Sequence, residues 1–371
     1  MPRIELPISK SIANRLLILQ AIHGDGLMTV SADLPEDVLI LHNALTILRT
    51  FKTSKTLPTP HINVGNCGTA MRFLTAYCAQ LEGQTTILDG VERMHHRPIG
   101  QLVDALREIG AQIEYLGEEG FPPLRIKGCI LDKHRIVTIN NPQSTQFVSA
   151  LLLIGANVHT DSTSPYITLT REMIKQWGDA AEYTSPLIGG VGGGFIEKDW
   201  SSAAFWYEYV ALHGGEITLP GLCRNSLQGD KVVADIFAHL GVHTTYTAKG
   251  ITLSPITYSE ASNSPLSGHP IAAQTASRSK ILVQDFGNCP DLYPAVALTC
   301  ERLGIQLHAT GVESLPLKES DRLRAVAEHR TDADHRMAMA LLIAGYEVDD
   351  TACISKSYPC FLDHLRQLYE K

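Results

Sequence analysis

The sequence predicts an α/β (α+β) protein of two domains, each built from about three repeats of a β-α-β-α-β-β unit. Its 371 residues exceed what one hydrophobic core usually accommodates. Helical patterns alternate with short β-branched segments along the chain. In addition, one arrangement of helix, glycine, strand, turn and strand occurs at residues 102–126 and again at 232–253.

The two copies of this arrangement contain the same parts in the same order. Each helix ends at a glycine, which can adopt the left-handed conformation that terminates helices. Two strand-like segments joined by a turn follow each glycine. The copies comprise Leu102–Ile109, Gly110, Ala111–Tyr115 and Leu124–Ile126, and Val232–Leu240, Gly241, Val242–Tyr246 and Ile251–Leu253.

Further helical patterns supply the remaining helices of the repeats. Six of them alternate with the repeated helices: Ser11–Ile22, Thr69–Leu81, Thr145–Ile154, Ser201–Leu212, Leu292–Leu303 and Arg336–Ile343. Three more are similar to the repeated helix itself: Asp37–Leu48, Arg171–Trp177 and Phe361–Tyr369. Several are followed by glycine and then by a β-branched strand, as in residues 214–219.

The division between the domains is predicted near Gly194–Glu197. It follows the glycine-rich residues 189–194. These residues match neither of the glycine-rich nucleotide-binding motifs, GxGxxG and GxxxxGK(S/T), and indicate a hinge or a surface loop. The first domain then spans residues 7–195, with one of its three units incomplete or irregular. The second domain comprises residues 1–6, in which Arg3–Leu6 is expected to be the first inter-domain strand, and residues 196–371.

One unit of the second domain departs from the repeat. The helix Asp321–His329 should be followed by a glycine and two strands. Instead, residues 330–333 lead directly into Asp334, at the start of the next helix. A segment of two strands is therefore predicted to be missing near residues 330–333.

Composition argues against several classes of function. A net charge of −8 argues against a nucleic-acid surface. No run of about 18 apolar residues occurs, so no membrane span is expected. The first residues lack the apolar core of a secretory signal, and the eight cysteines form no CxxC pair, which together indicate reduced thiols in a cytoplasmic protein. The 15 histidines show no metal-ligand spacing, so no metal is expected.

Cationic and small polar residues recur where a loop turns into a helix. They occupy Ser9–Arg15, Gly65–Arg72, His96–Gly100, Leu317–Leu323 and Asp334–Met337. A helix N-terminus exposes backbone N–H groups and carries partial positive charge, so together with fixed cations it binds anions. We therefore expect these helix starts to meet in a cleft between the domains and to hold two anionic ligands there.

Taken singly, these residues have ordinary structural interpretations as well. Ser11 and Ser144 are natural helix N-caps. Pro98 is expected at the first position of a helix, with Arg97 just outside it as a surface cation or a ligand contact. Gly68 either precedes a helix without further function or allows a ligand to approach the backbone closely.

Carboxylates near two helix starts are candidates for proton transfer. Asp291 precedes the helix Leu292–Leu303, where it either compensates the helix dipole or acts as a general base whose pKa is set by nearby cations. Lys318 and Glu319 offer a second proton-transfer pair, and Arg322 adds a cation that can bind two oxygens at once.

Eight short motifs follow one another along nearly the whole chain. They are Ser9–Arg15, Gly65–Arg72, Arg97–Leu106, Ser144–Leu152, Pro165–Thr170, Gln228–Asp230, Lys318–Leu323 and Asp334–Met339. In this order and combination, they make the chain resemble the EPSP synthase (3-phosphoshikimate 1-carboxyvinyltransferase) family.

The resemblance implies both a fold and a reaction. The fold is a two-domain inside-out α/β barrel of β-α-β-α-β-β units, three per domain, joined by two crossing segments. The reaction transfers the enolpyruvyl group of phosphoenolpyruvate to the 5-hydroxyl of shikimate 3-phosphate, by addition and then elimination of phosphate, in aromatic amino-acid biosynthesis. It implies no cofactor and no metal. The expected partners are the two substrates alone, bound by a cytoplasmic monomer.

The resemblance also implies a role for each matching residue. Shikimate 3-phosphate would be bound by Lys10, Ser11, Arg15, Ser144, Thr145, Gln146, Thr163, Asp291, Ser314 and Lys318. Phosphoenolpyruvate would be bound by Lys10, Gly68, Arg97, Gln146, Arg322, Arg336 and Lys356. The catalytic residues would be Asp291, Glu319, Lys318 and Lys10. Asp291 would take the proton of the 5-hydroxyl, and Glu319, with Lys318, would transfer protons at the methylene carbon of phosphoenolpyruvate.

The chain departs from the family pattern at several positions. Ser314 stands where the family usually has asparagine, and Thr145 and Thr163 stand where it usually has serine. Phe73 replaces a proline that is common in relatives. The segment between the helix that ends near Arg330 and the Asp-His-Arg motif is missing, and the N-terminus is short.

Two alternative functions stay open at this point. The first is UDP-N-acetylglucosamine enolpyruvyl transferase, which shares the fold. It normally has a cysteine before the Arg-Pro motif, where residues 92–96 have none. The second is an anion-binding scaffold without turnover, inactivated by the missing segment.

Overall fold

A computed structural model describes residues 2–24, 26–31, 34–53, 59–178, 196–256 and 281–369. The chain divides into two units: the first consists of Lys10–Ile196, and the second of Met1–Ser9 together with Glu197–Lys371. The glycine-rich residues 189–194, predicted to be a hinge or loop, lie outside the described residues.

The first unit contains the predicted β-α-β-α-β-β repeat. Its helices are α1 (Lys10–His23), α2 (Glu36–Thr53), α3 (Gly68–Ala79), α4 (Gly100–Glu108), α5 (Thr145–Leu153) and α6 (Pro165–Gly178). Its strands are β1 (His61–Asn63), β2 (Thr85–Asp89), β3 (Gln112–Tyr115), β4 (Leu124–Lys127), β5 (Ile136–Thr138) and β6 (Asn157–His159). The run β1-α3-β2-α4-β3-β4 folds into one sheet of order β1-β2-β4-β3, in which β1 and β2 are parallel and the other pairs antiparallel.

The second unit repeats the same pattern. Its helices are α7 (Trp200–His213), α8 (Val233–Ala238), α9 (Tyr293–Arg302), α10 (Arg322–Glu328), α11 (His335–Ala344) and α12 (Phe361–Tyr369). Its strands are β7 (Ile217–Pro220), β8 (Val242–Thr247), β9 (Gly250–Pro255), β10 (Ile281–Asp285) and β11 (Gln306–Thr310). The strands β7, β9 and β8 form an antiparallel sheet in that order. The predicted first strand is reduced to an isolated parallel bridge between Arg3 and Thr218 of β7.

The glycines that end the repeated helices have the predicted conformation. Gly110 has a φ of 102° and Gly241 a φ of 92°, in the left-handed region that favours glycine. Each glycine lies between a helix of the repeat and the strand that follows it, β3 and β8 respectively. The helix–glycine–hairpin pattern is thus confirmed in both units.

The connection between α10 and α11 is short. Residues 329–334 join the two helices directly, and none of them is in a strand. Three residues of this connection that are not glycine, His329, Asp332 and Ala333, have φ values of 52°, 46° and 56°. Such left-handed conformations are uncommon for residues with a side chain, so the rest of the structure must hold them in place.

Helix α7 lies in the core of the second unit. Large side chains on several of its faces are buried, including Trp200, Phe205, Trp206 and Tyr207. It packs against α8, α9 and α11. A helix that is apolar around its circumference is stable in water because neighbouring elements cover each face.

One ionisable residue of α7, Glu208, is buried in this core. Glu208 is 0% exposed, and neither of its carboxylate oxygens has a hydrogen-bond partner among the described residues. Burial raises the pKa of Glu208 well above the ordinary value of a glutamate. The folded protein therefore keeps this carboxyl protonated over a pH range in which the unfolded chain ionises it, and stability falls as pH rises through that range.

We predict that Glu208→Met stabilises the protein by about 1–3 kcal/mol at pH 8, because it removes a buried carboxyl group without a partner. The gain should be smaller at pH 5, because a smaller fraction of Glu208 is ionised in the unfolded chain at that pH. Urea denaturation at both pH values measures it. As a control, the exposed Glu216→Met should change stability by no more than about 0.5 kcal/mol. A Glu208→Met variant no more stable than the parent at pH 8 contradicts the prediction.

Candidate active site

Three cations of the second unit converge on the carboxylate of Asp291. Arg322 Nη1 donates to Asp291 Oδ1 at 2.7 Å, and Lys318 Nζ lies 3.4 Å from the same oxygen. Arg336 Nη2 donates to Oδ2 at 2.9 Å. The two arginines are almost completely buried, with 1% and 4% of their side chains exposed, whereas 22% of the Asp291 side chain is exposed. The structure therefore brings together residues that are up to 45 positions apart in the sequence.

Glu319 extends this group to a fourth cation. Arg322 Nη2 donates to Glu319 Oε2 at 3.1 Å, and Lys356 Nζ donates to Oε1 at 3.2 Å. We call the six residues of this network the second-unit cluster: Asp291, Lys318, Glu319, Arg322, Arg336 and Lys356.

Helix starts position the two arginines of the cluster. Arg322 is the first residue of α10, whose N-cap Asp321 accepts a hydrogen bond from the backbone N–H of Arg324. Arg336 is the second residue of α11, whose N-cap is Asp334. Aspartate is among the most favourable N-caps, so these sequences begin their helices at defined points. The expected coincidence of cations with helix starts is thus present at both positions.

The pKa values of Asp291 and of the neighbouring Asp230 are shifted in opposite directions. Burial opposes ionisation of Asp291, but the charges of Arg336, Lys318 and Arg322 outweigh burial and hold the pKa of Asp291 well below its usual value. Burial and the charge of Asp291 together raise the pKa of Asp230 to about 6. Asp230 is 1% exposed and accepts a hydrogen bond from Ser201. Of the two carboxyl groups, Asp291 is therefore the one that the cluster's cations keep ionised.

In the first unit, Lys10 is paired with an aspartate. Lys10 begins α1, and its Nζ lies 2.9 Å from Oδ2 of Asp37 on α2. Asp37 is 5% exposed. The contact fixes the ammonium group at the start of α1, where the exposed backbone N–H groups also favour an anion.

Arg15 is buried among neutral acceptors. Its guanidinium donates to Thr170 Oγ1 at 2.7 Å, to the backbone oxygen of Ser11 at 2.8 Å, and to Ser149 Oγ and the backbone oxygen of Tyr166 at 3.2 Å each. Burial lowers the pKa of Arg15 to about 10, so it stays protonated at neutral pH. These hydrogen bonds fix the orientation of the guanidinium without neutralising its charge.

Two further arginines of the first unit lie beside Gly68. Arg72 Nη2 donates to the backbone oxygen of Pro98, and Arg97 Nη1 donates to the backbone oxygen of Asn66, both at 3.0 Å. A Cβ at Gly68 would lie 2.5 Å from Arg72 Nη1 and 2.6 Å from Arg97 Nη2, closer than side-chain contacts allow. The absence of a side chain at Gly68 therefore makes room for both guanidinium groups.

The helix start at α5 presents neutral polar groups. Ser144 is the N-cap of α5 and accepts a hydrogen bond from the backbone N–H of Gln146, as predicted. Gln146 Nε2 donates to Thr69 Oγ1 at 2.9 Å, which links the starts of α5 and α3. Thr145 is the first residue of α5, while Thr163 is exposed before α6. In the second unit, Ser314 precedes a short 3-10 helix, Leu315–Leu317, that leads to Lys318.

Two of the local predictions were wrong. Ser11 is not an N-cap, because α1 already begins at Lys10. Pro98 is not the first residue of α4, which begins at Gly100 after the N-cap position Ile99. Of the two interpretations left open for Arg97, the surface cation is excluded, because Arg97 is 6% exposed. Before these helices, Ser9 donates its backbone N–H to Glu197 and Ile99 donates its backbone N–H to Gly120, contacts that local patterns do not reveal.

Sequence reasoning also missed polar residues that hold the site. Arg72 and Asp334 lie inside motifs noted above but were assigned no role. Asp37 lies 27 positions from Lys10, and no local pattern indicates this pairing. Asp230 belongs to the Gln-Gly-Asp motif, and its burial beside the cluster could have been suspected from that motif alone.

Repeated β-α-β-α-β-β units with buried cations at their helix starts and the ionised carboxylate of Asp291 among them define a protein of the enolpyruvyl transferase class. The family model for EPSP synthase (3-phosphoshikimate 1-carboxyvinyltransferase) matches residues 2–329 and 325–365. The chain belongs to the EPSP synthase family.

Curated relatives agree along the length of the chain. The 3-phosphoshikimate 1-carboxyvinyltransferase of Bacteroides fragilis is 35% identical over 425 residues, covering 98% of this chain and 94% of the relative. The enzyme of the same name from Cellvibrio japonicus is 31% identical, covering 98% of this chain and 96% of the relative. The predicted family and enzyme class are thereby confirmed, and neither alternative function is favoured.

A solved structure supports the fold. The EPSP synthase of Acinetobacter baumannii superposes with a TM-score of 0.63 at 20% sequence identity, covering 98% of this chain and 95% of the other. The predicted fold, the two-domain inside-out α/β type of this family, is confirmed. The sheets formed by the described residues are open, with four, three, two and two strands. No helix in the described ranges is both long and apolar enough to cross a membrane.

We predict that Asp291→Asn makes inorganic phosphate a better stabiliser of the protein, because phosphate then no longer competes with an internal carboxylate for Arg322 and Arg336. The apparent Kd for phosphate should fall by about tenfold, which corresponds to about 1.4 kcal/mol. Thermal denaturation in sodium phosphate, compared with sodium chloride at equal ionic strength, measures it. The exposed Asp363→Asn is the control and should bind phosphate like the parent. Equal phosphate stabilisation of Asp291→Asn and the parent would show that Asp291 does not compete with anions.

Proposed function

We propose that this chain transfers the enolpyruvyl group of phosphoenolpyruvate to the 5-hydroxyl of shikimate 3-phosphate, giving EPSP and phosphate. The observation that carries the proposal is the binding of Asp291 by Arg322, Arg336 and Lys318. It places a base candidate among cations suited to phosphate and carboxylate groups. Family membership independently supports the reaction.

Each substrate has a proposed set of side chains. Shikimate 3-phosphate would contact Lys10, Ser11, Arg15, Ser144, Thr145, Gln146, Thr163, Asp291, Ser314 and Lys318. Phosphoenolpyruvate would contact Lys10, Gly68, Arg97, Gln146, Arg322, Arg336 and Lys356. Buried cations support these assignments, because an anion that meets a fixed, partly desolvated guanidinium loses little energy to reorganisation.

The first step of the proposed reaction is addition. Asp291 accepts the proton of the 5-hydroxyl while that oxygen bonds to C2 of phosphoenolpyruvate. The C2–C3 double bond opens, and its electron pair takes a proton at the methylene carbon C3. The Lys318 ammonium supplies this proton by way of Glu319, whose carboxylate is regenerated as it passes the proton on. The anionic groups of phosphoenolpyruvate would take over the contacts of Arg322 and Arg336 with Asp291. Loss of these cations raises the pKa of Asp291, so substrate binding itself makes the carboxylate more basic.

The second step is elimination. A proton leaves C3 for the Glu319 carboxylate, the C2–C3 double bond forms again, and the C2–O bond to phosphate breaks. Arg322 and Arg336 stabilise the departing phosphate. The contacts of Glu319 with Arg322 and Lys356 support this role, because they fix the carboxylate near those cations.

We also propose that the chain lacks two strands that its relatives carry near residues 330–333. Two findings support this. The family model matches in two parts that meet at residues 325–329. The alignment with the Bacteroides fragilis enzyme extends over 425 residues, more than the 371 of this chain, so it includes gaps. The domains are proposed as residues 7–195, and 1–6 with 196–371, close to the two units described above.

The enzyme is further proposed to act as a cytoplasmic monomer. All eight cysteines are free in the structure, as expected for a protein kept in a reducing compartment. Light scattering coupled to gel filtration tests the oligomeric state: a mass near 40.6 kDa supports a monomer, and twice that mass contradicts it.

We predict that the purified protein releases phosphate when given both substrates and releases none with phosphoenolpyruvate alone. Asp291→Asn should lower kcat by about 10²–10⁴-fold, the usual contribution of a general base. A continuous phosphate assay measures both, with Asp363→Asn as a folded control. Absence of turnover while shikimate 3-phosphate still binds in calorimetry would identify a binding scaffold, and near-normal turnover of Asp291→Asn would refute its role as base.

We predict that Gly68→Ala raises the KM for phosphoenolpyruvate by about tenfold or more, because the new methyl group displaces the Arg97 guanidinium, and each 1.4 kcal/mol lost is tenfold in affinity. The KM for shikimate 3-phosphate should change by less than about threefold. Steady-state kinetics with each substrate varied in turn provide the test. Gly26→Ala is the matched control, since a Cβ there meets nothing within 4 Å. An unchanged KM for phosphoenolpyruvate in Gly68→Ala would argue against Arg97 as a ligand.

A further inference from the structure

The short connection between α10 and α11 is held by its own polar contacts. Its backbone is left-handed at His329, Asp332 and Ala333, and side chains at both ends anchor it. The anchoring pairs are His329 with Glu301, Thr331 with Asp349, and Arg324 and Arg330 with Asp332. These contacts hold the connection in position, and with it Asp334, its last residue.

Asp334 contacts both helices that carry the cluster arginines. Its Oδ2 accepts from Arg322 Nε at 2.8 Å and from Ser320 Oγ at 3.2 Å. Its Oδ1 accepts from the backbone N–H of Arg336 at 2.9 Å. The residue is 0% exposed, so solvent does not weaken these contacts.

The contact with Nε determines what the rest of Arg322 can do. A guanidinium is planar, so a hydrogen bond to Nε fixes the direction of both terminal nitrogens. Those nitrogens, Nη1 and Nη2, are the ones that bind Asp291 and Glu319. The same carboxylate begins α11 at the residue before His335, which places Arg336 against the other oxygen of Asp291.

We propose that Asp334 is a positioning residue for phosphoenolpyruvate, which orients Arg322 and Arg336 toward one anion-binding point. This inference rests on the proposed function, in which phosphoenolpyruvate is the ligand of Arg322 and Arg336. Asp334 does not touch the substrate in this scheme. It acts through the two arginines.

A simple structural role, as the N-cap of α11, is the competing explanation. Asparagine separates the two, because it caps helices about as well as aspartate and has the same size. It lacks the charge and the second acceptor, however. If its oxygen caps α11, its NH₂ group faces the Nε–H of Arg322, and the orientation of the guanidinium is lost.

The test is Asp334→Asn compared with Asp321→Asn, which makes the same change at the N-cap of α10 without a contact to the cluster. In Asp334→Asn, the KM for phosphoenolpyruvate should rise by about tenfold or more, with kcat and the KM for shikimate 3-phosphate within about threefold. Asp321→Asn should leave all three values unchanged. The proposal would be overturned if Asp334→Asn lost only thermal stability. It would also be overturned if Asp334→Asn lowered kcat while both KM values stayed unchanged.

A second measurement does not depend on activity. In a ¹⁵N-arginine-labelled sample, the Nε–H signal of Arg322, assigned through its loss in Arg322→Lys, should be slow to exchange with solvent and should shift in Asp334→Asn but not in Asp321→Asn. An Arg322 signal unchanged by Asp334→Asn overturns the positioning role. Absence of phosphate release by the parent protein defeats the proposed function instead, so the two failures are distinguishable.

Discussion

The ionised carboxylate of Asp291 is the charge on which the site of the second unit depends. Arg322, Arg336 and Lys318 carry like charges, and the two arginines are buried, where repulsion is poorly screened. A carboxylate among them lets the fold assemble this cationic group before any substrate is present. The cost of removing one partner from such a buried network is high, because the other charges are left without compensation. In the proposed reaction, substrate binding is therefore an exchange of anions, with the substrate's anionic groups replacing Asp291 at the arginines.

The first unit solves the same electrostatic problem in a different way. Arg15 is surrounded by hydroxyl and carbonyl oxygens, which satisfy its hydrogen bonds but leave its charge intact. Arg72 and Arg97 likewise donate to backbone oxygens on either side of Gly68. Lys10 is paired with a carboxylate, that of Asp37. The buried arginines of the first unit are thus held mainly by neutral oxygens, whereas those of the second unit are held by carboxylates.

The short connection at residues 329–334 brings together the two helices that carry the cluster arginines. Both arginines contact Asp291, and Asp334 joins the beginnings of their helices. The left-handed residues of the connection are energetically unfavourable by themselves. Their anchoring by Glu301 and Asp349 offsets that cost and keeps the connection in one conformation.

The sequence by itself determined the repeats, the helices and the motif residues, because hydrophobic periodicity and glycine stops such as Gly110 and Gly241 act over a few residues. It did not predict that α1 begins at Lys10, that α4 begins at Gly100, or that Arg97 is buried. Tertiary structure alone decided that Asp37 pairs with Lys10 and that Asp334 serves two arginines. Such pairings join residues far apart in the chain, and their energy depends on burial, which no local pattern encodes.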